Sequence, residues 1–253
     1  ISSPIIYLET TSMFIDLFWL MSCLMVVGLL VAMIVDKKLS IENLILFLFA
    51  SALFINTKLI ALIYIFPLYI FFFYLLFTKY NLFNLINKMS VLQIVLMGLS
   101  ILWSLNPFLT SFWYTNNPVF PFFNSFFQSD LIPLTNWTNS IFSHFVDYKI
   151  LYNITFKTSN YLEAGIGAPG FFWVILFIPM LIKILLRKYD YITSLFIYGI
   201  VTFLAVFYFQ SYLRYVLPSL IIFYIVFQKV YFESSQKNDF FNLSFYKLSY
   251  YSL

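Results

Sequence analysis

A chain of 253 residues in which 62% of side chains are hydrophobic and only 9% charged has too few charges to cover a water-facing surface, which excludes a soluble domain. The mean hydropathy is +0.91, and a 23% aromatic share, with 34 Phe and 20 Tyr, adds the interfacial side chains of a membrane protein. The net charge of +4 is scattered between apolar segments, so no nucleic-acid surface is expected; the single cysteine, Cys23, excludes an internal disulfide and a cysteine metal cage.

The chain opens Ile1-Ser2-Ser3-Pro4, without an initiator Met or a signal-peptide pattern, and upstream sequence is expected. A first span fits Met13 to Val35. Leu44 to Phe77 contains a single charge, Lys58. As one helix it would be about 51 Å long, too much for a hydrocarbon core of about 30 Å. It must break, and Asn56-Thr57-Lys58 is its only polar cluster, so the pattern predicts one helix over Glu42–Ile55 and a second over Leu59–Phe77. Further spans are predicted at Met89–Leu105, Phe171–Leu186, Tyr191–Phe209 and Leu213–Gln228. The expected fold class is all-α: a polytopic transmembrane helix bundle of about seven spans, forming a single transmembrane domain over residues 1–253.

Residues 106–170 form the one long loop of this reading. Its start, from Asn106 to Phe127, is too aromatic for disorder and too rich in Pro and Asn for a span, and is expected to lie along the membrane surface. Asn136-Trp137-Thr138 and Asn153-Ile154-Thr155 match the short N-glycosylation pattern. Of the basic residues, Lys37, Lys38, Lys79, Lys88, Lys183, Arg187, Lys188, Lys229, Lys237 and Lys247 fall on one side of the alternation, and Lys58, Lys149, Lys157 and Arg214 on the other. The richer side is the cytoplasm by the positive-inside rule, which puts residues 1–12 and 106–170 outside and the C-terminus inside.

Ionisable groups at membrane depth are costly and therefore functional candidates. Asp16 opens the first span, where a carboxylate also suits the positive end of the helix dipole. Lys58 sits at the helix break, where snorkelling alone would account for a lysine. Arg214, in Phe209-Gln210-Ser211-Tyr212-Leu213-Arg214-Tyr215, either anchors a helix end or presents a planar fork to a phosphate. All three fall on the external side of the alternation, a charge pattern suited to holding a lipid-linked phosphate. In the long loop, His144, Asp147 and Glu163 are the remaining acid, base or metal candidates; His144 and Asp147 alone make a weak metal signal, and no metal is assigned. The chain has no Gly-rich phosphate loop and no His pair within the spans for haem, so no cofactor is expected.

Four segments carry a family resemblance. Tyr7-Leu8-Glu9-Thr10-Thr11-Ser12-Met13-Phe14-Ile15-Asp16 resembles the polar, aromatic, then Asp helix start of the polytopic GT-C glycosyltransferases, which include protein mannosyl and aminoarabinose transferases. Asn56-Thr57-Lys58 followed by Pro67 is similar to their Thr-Lys-Gly element, with Leu59 where Gly is usual. Arg214-Tyr215-Val216-Leu217-Pro218 looks like their Arg-Tyr-x-x-Pro element, and Asn117-Pro118-Val119-Phe120-Pro121-Phe122-Phe123-Asn124 like a loop motif of bacterial members.

The resemblance implies transfer of a sugar from a polyprenyl-phosphate donor at the extracytoplasmic face of a bacterial plasma membrane. It carries over Asp16 as a cavity acid and Lys58, Arg214 and Tyr215 as donor-phosphate contacts. The general base of these families lies in an external loop upstream of the matched region, so none is assigned. The partners implied are membrane lipids and the lipid-linked sugar. Two other readings fit the same residues: a non-enzymatic integral subunit of a membrane complex, and a lipid-linked oligosaccharide flippase or polymerase.

Overall fold

The computed structural model describes residues 15–36, 39–80, 85, 87–136, 147–161, 172–186, 188 and 190–235. Among these residues the chain is all-helical, with no strand. Five helices are long and apolar enough to cross a membrane: α1 (Asp16–Val35), α3 (Ala61–Lys79), α4 (Val91–Thr115), α8 (Tyr191–Phe209) and the stretch Leu213–Glu233, which joins a 3-10 turn to α9 (Leu217–Ser235). Of the seven predicted spans, the helices α2 (Ile41–Thr57) and α7 (Phe172–Leu185) are the shorter ones, with 17 and 14 residues. The short helices α5 (Asn124–Phe127) and α6 (Ile150–Phe156) lie in the region expected as loop.

The chain divides into two compact units, one of residues 1–17 and 139–253 and one of residues 18–138. In the 18–138 unit the ends of α2 are set by local chemistry. The Ser40 side chain accepts a hydrogen bond from Asn43 N at 3.1 Å, a capped start. At the other end Asn56 and Thr57 turn their side chains onto the backbone, Asn56 Nδ2 donating to Ala52 O at 2.8 Å and Thr57 Oγ1 to Phe54 O at 2.7 Å. Lys58 then adopts an extended backbone that stops the helix. The predicted break is therefore present, three residues before α3 begins.

A second bond from the same amide explains the main boundary that differs from expectation. Asn56 Nδ2 also donates to Trp103 O at 2.8 Å. Trp103 lies four residues before Pro107, which has no N–H to give that carbonyl its helical partner. In lipid a freed carbonyl must be satisfied by a neighbouring element, and α2 supplies the donor. The helix thus passes through Pro107 and ends only at Thr115, where Asn116 in the left-handed conformation donates its N–H to Phe112 O. Residues 106–115, expected as the beginning of the loop, are helix. Ser90 and Gln93 form a reciprocal capping box at the start of α4.

Aromatic rings fill the core of this unit. Phe47 stacks on Phe72 at 4.6 Å between centroids, and Trp19 packs on Phe54 at 5.3 Å and on the edge of Tyr64 at 5.5 Å. Beyond α3, the Tyr80 hydroxyl donates to Met33 O at 2.9 Å and ties the end of that helix to α1.

In the other unit Asp190 caps α8, its carboxylate accepting from Ile192 N and Thr193 N. Along the α8–α9 seam the Thr202 and Ser219 hydroxyls hydrogen-bond at 2.9 Å, and Gly199 lets the Phe223 ring approach the α8 backbone. Phe177, Phe196 and Phe203 complete a cluster around Phe223. Pro218 occupies the first turn of α9, where its missing N–H costs no helical bond.

Candidate functional site

The link from α8 to α9 is a tight polar turn. Gln210 N donates to Val206 O, Tyr212 N to Gln210 O and Tyr215 N to Tyr212 O, so the link is short and passes into a 3-10 turn over Leu213–Val216 instead of a wide loop. This winding sets the Tyr212 and Tyr215 rings side by side against Arg214. The guanidinium carbon lies 5.7 Å from the Tyr212 ring centroid and 5.4 Å from that of Tyr215, and the two rings meet edge to face at 5.2 Å. A delocalised, weakly hydrated guanidinium suits contact with such an aromatic pair. The Arg214 side chain also hydrogen-bonds the Tyr215 hydroxyl.

Asp16, the first residue of α1, belongs to the same unit and is fully buried. Its carboxylate acts electrostatically on the Tyr215 hydroxyl together with Arg214. The structure therefore brings together three of the residues singled out in the sequence, Asp16, Arg214 and Tyr215, and adds Tyr212. The signal for Tyr212 was its place two residues before Arg214, which a 3-10 turn carries round to the cation.

Lys58 belongs to the 18–138 unit. Its ammonium lies 5.7 Å from the centroid of the Trp19 ring, within the range of a cation–π interaction. Trp19 is wholly buried, and its Nε1–H has no hydrogen-bond acceptor. Nothing in the sequence marked Trp19 off from the aromatic residues around it.

Of the loop candidates, His144 and Glu163 lie outside the described residues. Asp147 is exposed and starts α6: its Oδ1 accepts from Lys149 N at 3.0 Å and its carbonyl from Ile150 N. Near it, Tyr161 is buried against Phe207, with ring centroids 5.5 Å apart. Burial pushes the Tyr161 phenol above its ordinary value, the Asp147 charge adds to the rise, and a hydrogen bond with Asn153 offsets part of it. Asp147 also lines a cavity of about 280 Å³ walled by apolar side chains of α6, α7, α8 and α9, among them Ile154, Phe203 and Phe223. Among the described residues no group of three His, Cys, Asp or Glu side chains is placed to hold a metal. In the pattern at Asn153, Ile154 and Thr155 are buried within a helix, and Thr155 Oγ1 donates to Leu151 O at 2.9 Å.

No protein-family model, curated protein or solved structure matches the chain.

Proposed function

We propose that the chain is a GT-C-type membrane glycosyltransferase, or a catalytically incomplete relative, that handles a polyprenyl-phosphate-linked sugar at the extracytoplasmic face of a bacterial plasma membrane. The observation that supports this reading is Arg214 set against the Tyr212–Tyr215 ring pair, with the buried Asp16 acting on Tyr215. Sugar transfer from a lipid phosphate leaves negative charge on the phosphate, and a guanidinium steadied against two rings is preorganised to receive it. Tyr215, hydrogen-bonded to that guanidinium, orients the fork, and the buried Asp16 balances the charge of the half-buried cation. The seven-span topology goes with this reading: α2 and α7 act as short spans, residues 1–12 and the loop after α4 are external, and the C-terminus is cytoplasmic.

The test is deletion of the gene in its host, followed by chromatography of lipid-linked sugars and envelope glycans. Accumulation of one lipid-linked sugar, with loss of the matching glycan and restoration by the wild-type gene but not by Arg214→Ala, supports the reading. Unchanged donor and glycan pools, or full restoration by Arg214→Ala, overturn it in favour of a non-enzymatic membrane subunit.

A further inference from the structure

The segment after α4 is folded around two wholly buried asparagines. Asn117 closes its own turn, with Oδ1 accepting from Val119 N at 3.0 Å and Nδ2 donating to Phe122 O at 2.9 Å. Asn124 reaches further: Nδ2 donates to Ser129 O and Pro133 O, both at 3.1 Å, and Oδ1 accepts from Ser129 N at 3.0 Å. Asn136 Oδ1 adds bonds from Ser125 N and Ser125 Oγ. Side-chain amides thus satisfy much of the backbone of a non-helical stretch from within.

While Asn117, Asn124 and Ser129 are buried, the segment presents large apolar side chains outward. Phe123, Phe126, Leu131 and Leu134 are exposed by 54%, 79%, 64% and 60%, and Trp113 and Tyr114, in the last turn of α4, are still more open than most of these. Residues 89–129 carry no charged side chain; the first charge, Asp130, is exposed.

Helix length fixes where this surface sits. The 25 residues of α4 span about 37 Å at about 1.5 Å per residue, against a hydrocarbon core of about 30 Å. Its final turn therefore emerges at headgroup depth, where Trp and Tyr concentrate, and residues 116–136 begin there. An apolar surface continuous with a membrane-crossing helix, uncharged up to Asp130, and with part of its backbone bonded internally meets the conditions for contact with lipid.

We infer that residues 116–136 form an aromatic platform seated in the bilayer interface, with Phe123, Phe126, Leu131 and Leu134 inserted among lipid headgroups and upper acyl chains, and with Asn117 and Asn124 as the latches that hold its shape. The occupant of this surface is the membrane itself. The inference stands on the geometry of the 18–138 unit and is independent of any transfer activity.

The test uses the full chain with Cys23→Ala, carrying Phe126→Cys or, as a second reporter, Leu134→Cys, labelled with an environment-sensitive dye and reconstituted into phosphatidylcholine vesicles. The expected result is strong quenching by lipids spin-labelled near the headgroup, weaker quenching by lipids labelled near the chain end, and protection from aqueous iodide. Adding Asn124→Ala is expected to raise iodide access at both positions. Free access of iodide without lipid quenching at both reporters overturns the inference, as does protection from both quenchers, which would mean that protein covers the surface. The two reporters lie on different parts of the segment, so a substitution that disturbs one leaves the other to decide.

Discussion

A methyl group built on Gly199 of α8 would meet Cε1 of Phe223 on α9 at 2.7 Å. Glycine is required here by close helix approach, and three residues on, the Thr202–Ser219 bond crosses the same seam. Gly199→Ala should force the Phe223 ring aside and destabilise the α8–α9 pair by about 1–3 kcal/mol, the usual cost of overpacking. Thr202→Val should cost less, on the order of 0.6 kcal/mol, since a hydrogen bond between membrane helices contributes about that much. Unfolding in mixed micelles would measure both; equal losses would mean that the seam is held by its hydroxyls and not by its packing.

Arg214 gives a sharper contrast between charge and shape. Arg214→Lys keeps the cation but loses the planar group that lies against Tyr212 and Tyr215. If the guanidinium stabilises a leaving phosphate, removing it costs roughly 10²–10³ in turnover, the usual effect of losing one such donor. Arg214→Lys should then resemble Arg214→Ala, whereas Tyr215→Phe, which keeps the ring, should fall between wild type and both. Turnover of a lipid-linked sugar by the reconstituted protein checks the order, and wild-type turnover in Arg214→Lys would refute a role for the fork.

The Lys58–Trp19 contact is open to a test of stability alone. Lys58→Gln should lower the stability of the 18–138 unit by about 0.5–2 kcal/mol, the range for a cation over an indole. Lys58→Arg should restore most of it. Thermal unfolding followed by aromatic circular dichroism would report the change, and no loss in Lys58→Gln would leave the lysine a solvated helix-end residue.

Tyr161 predicts an alkaline limit. Its phenol titrates above the ordinary value of 10.0 in the folded chain, because burial and then Asp147 disfavour the phenolate. Below about pH 10 both the folded and unfolded forms keep the proton, and its contribution to stability is fully present. As pH rises through the unfolded value toward the folded one, the unfolded chain loses its proton first and stability falls. Tyr161→Phe should flatten that alkaline decline while leaving stability near neutrality little changed, and pH-dependent unfolding curves of the two proteins would show it.

Much of the fold was legible because membrane thickness turns residue counts into boundaries. The break at Lys58 followed from length, and Asn56 and Thr57 made it by bonding their own backbone. The end of α4 was not legible. Asn106-Pro107 signals a stop, and the donor that cancels the proline's effect lies 47 residues away on another helix. At the site, Asp16, Arg214 and Tyr215 could be read as charges and a neighbour of a charge. The ring pair against Arg214 depended on the winding of one short turn, and Trp19 had no distinguishing neighbour in sequence. Asn117 and Asn124 were visible as parts of a motif, but their role as internal donors appears only once the loop is folded around them.

The amide shared between Asn56 and Trp103 has a consequence for biogenesis. Chains are synthesised at about 5–20 residues per second, N-terminus first. Asn56 is therefore made about 2–9 s before the carbonyl it will satisfy, across the 47 residues that separate them. The bond closes only when α4 arrives. Until then the Asn56 amide keeps only its bond to Ala52 O, and its other donor has to be met by water, by lipid headgroups or by the insertion machinery, which makes the docking of α4 onto α2 the step that completes its bonding.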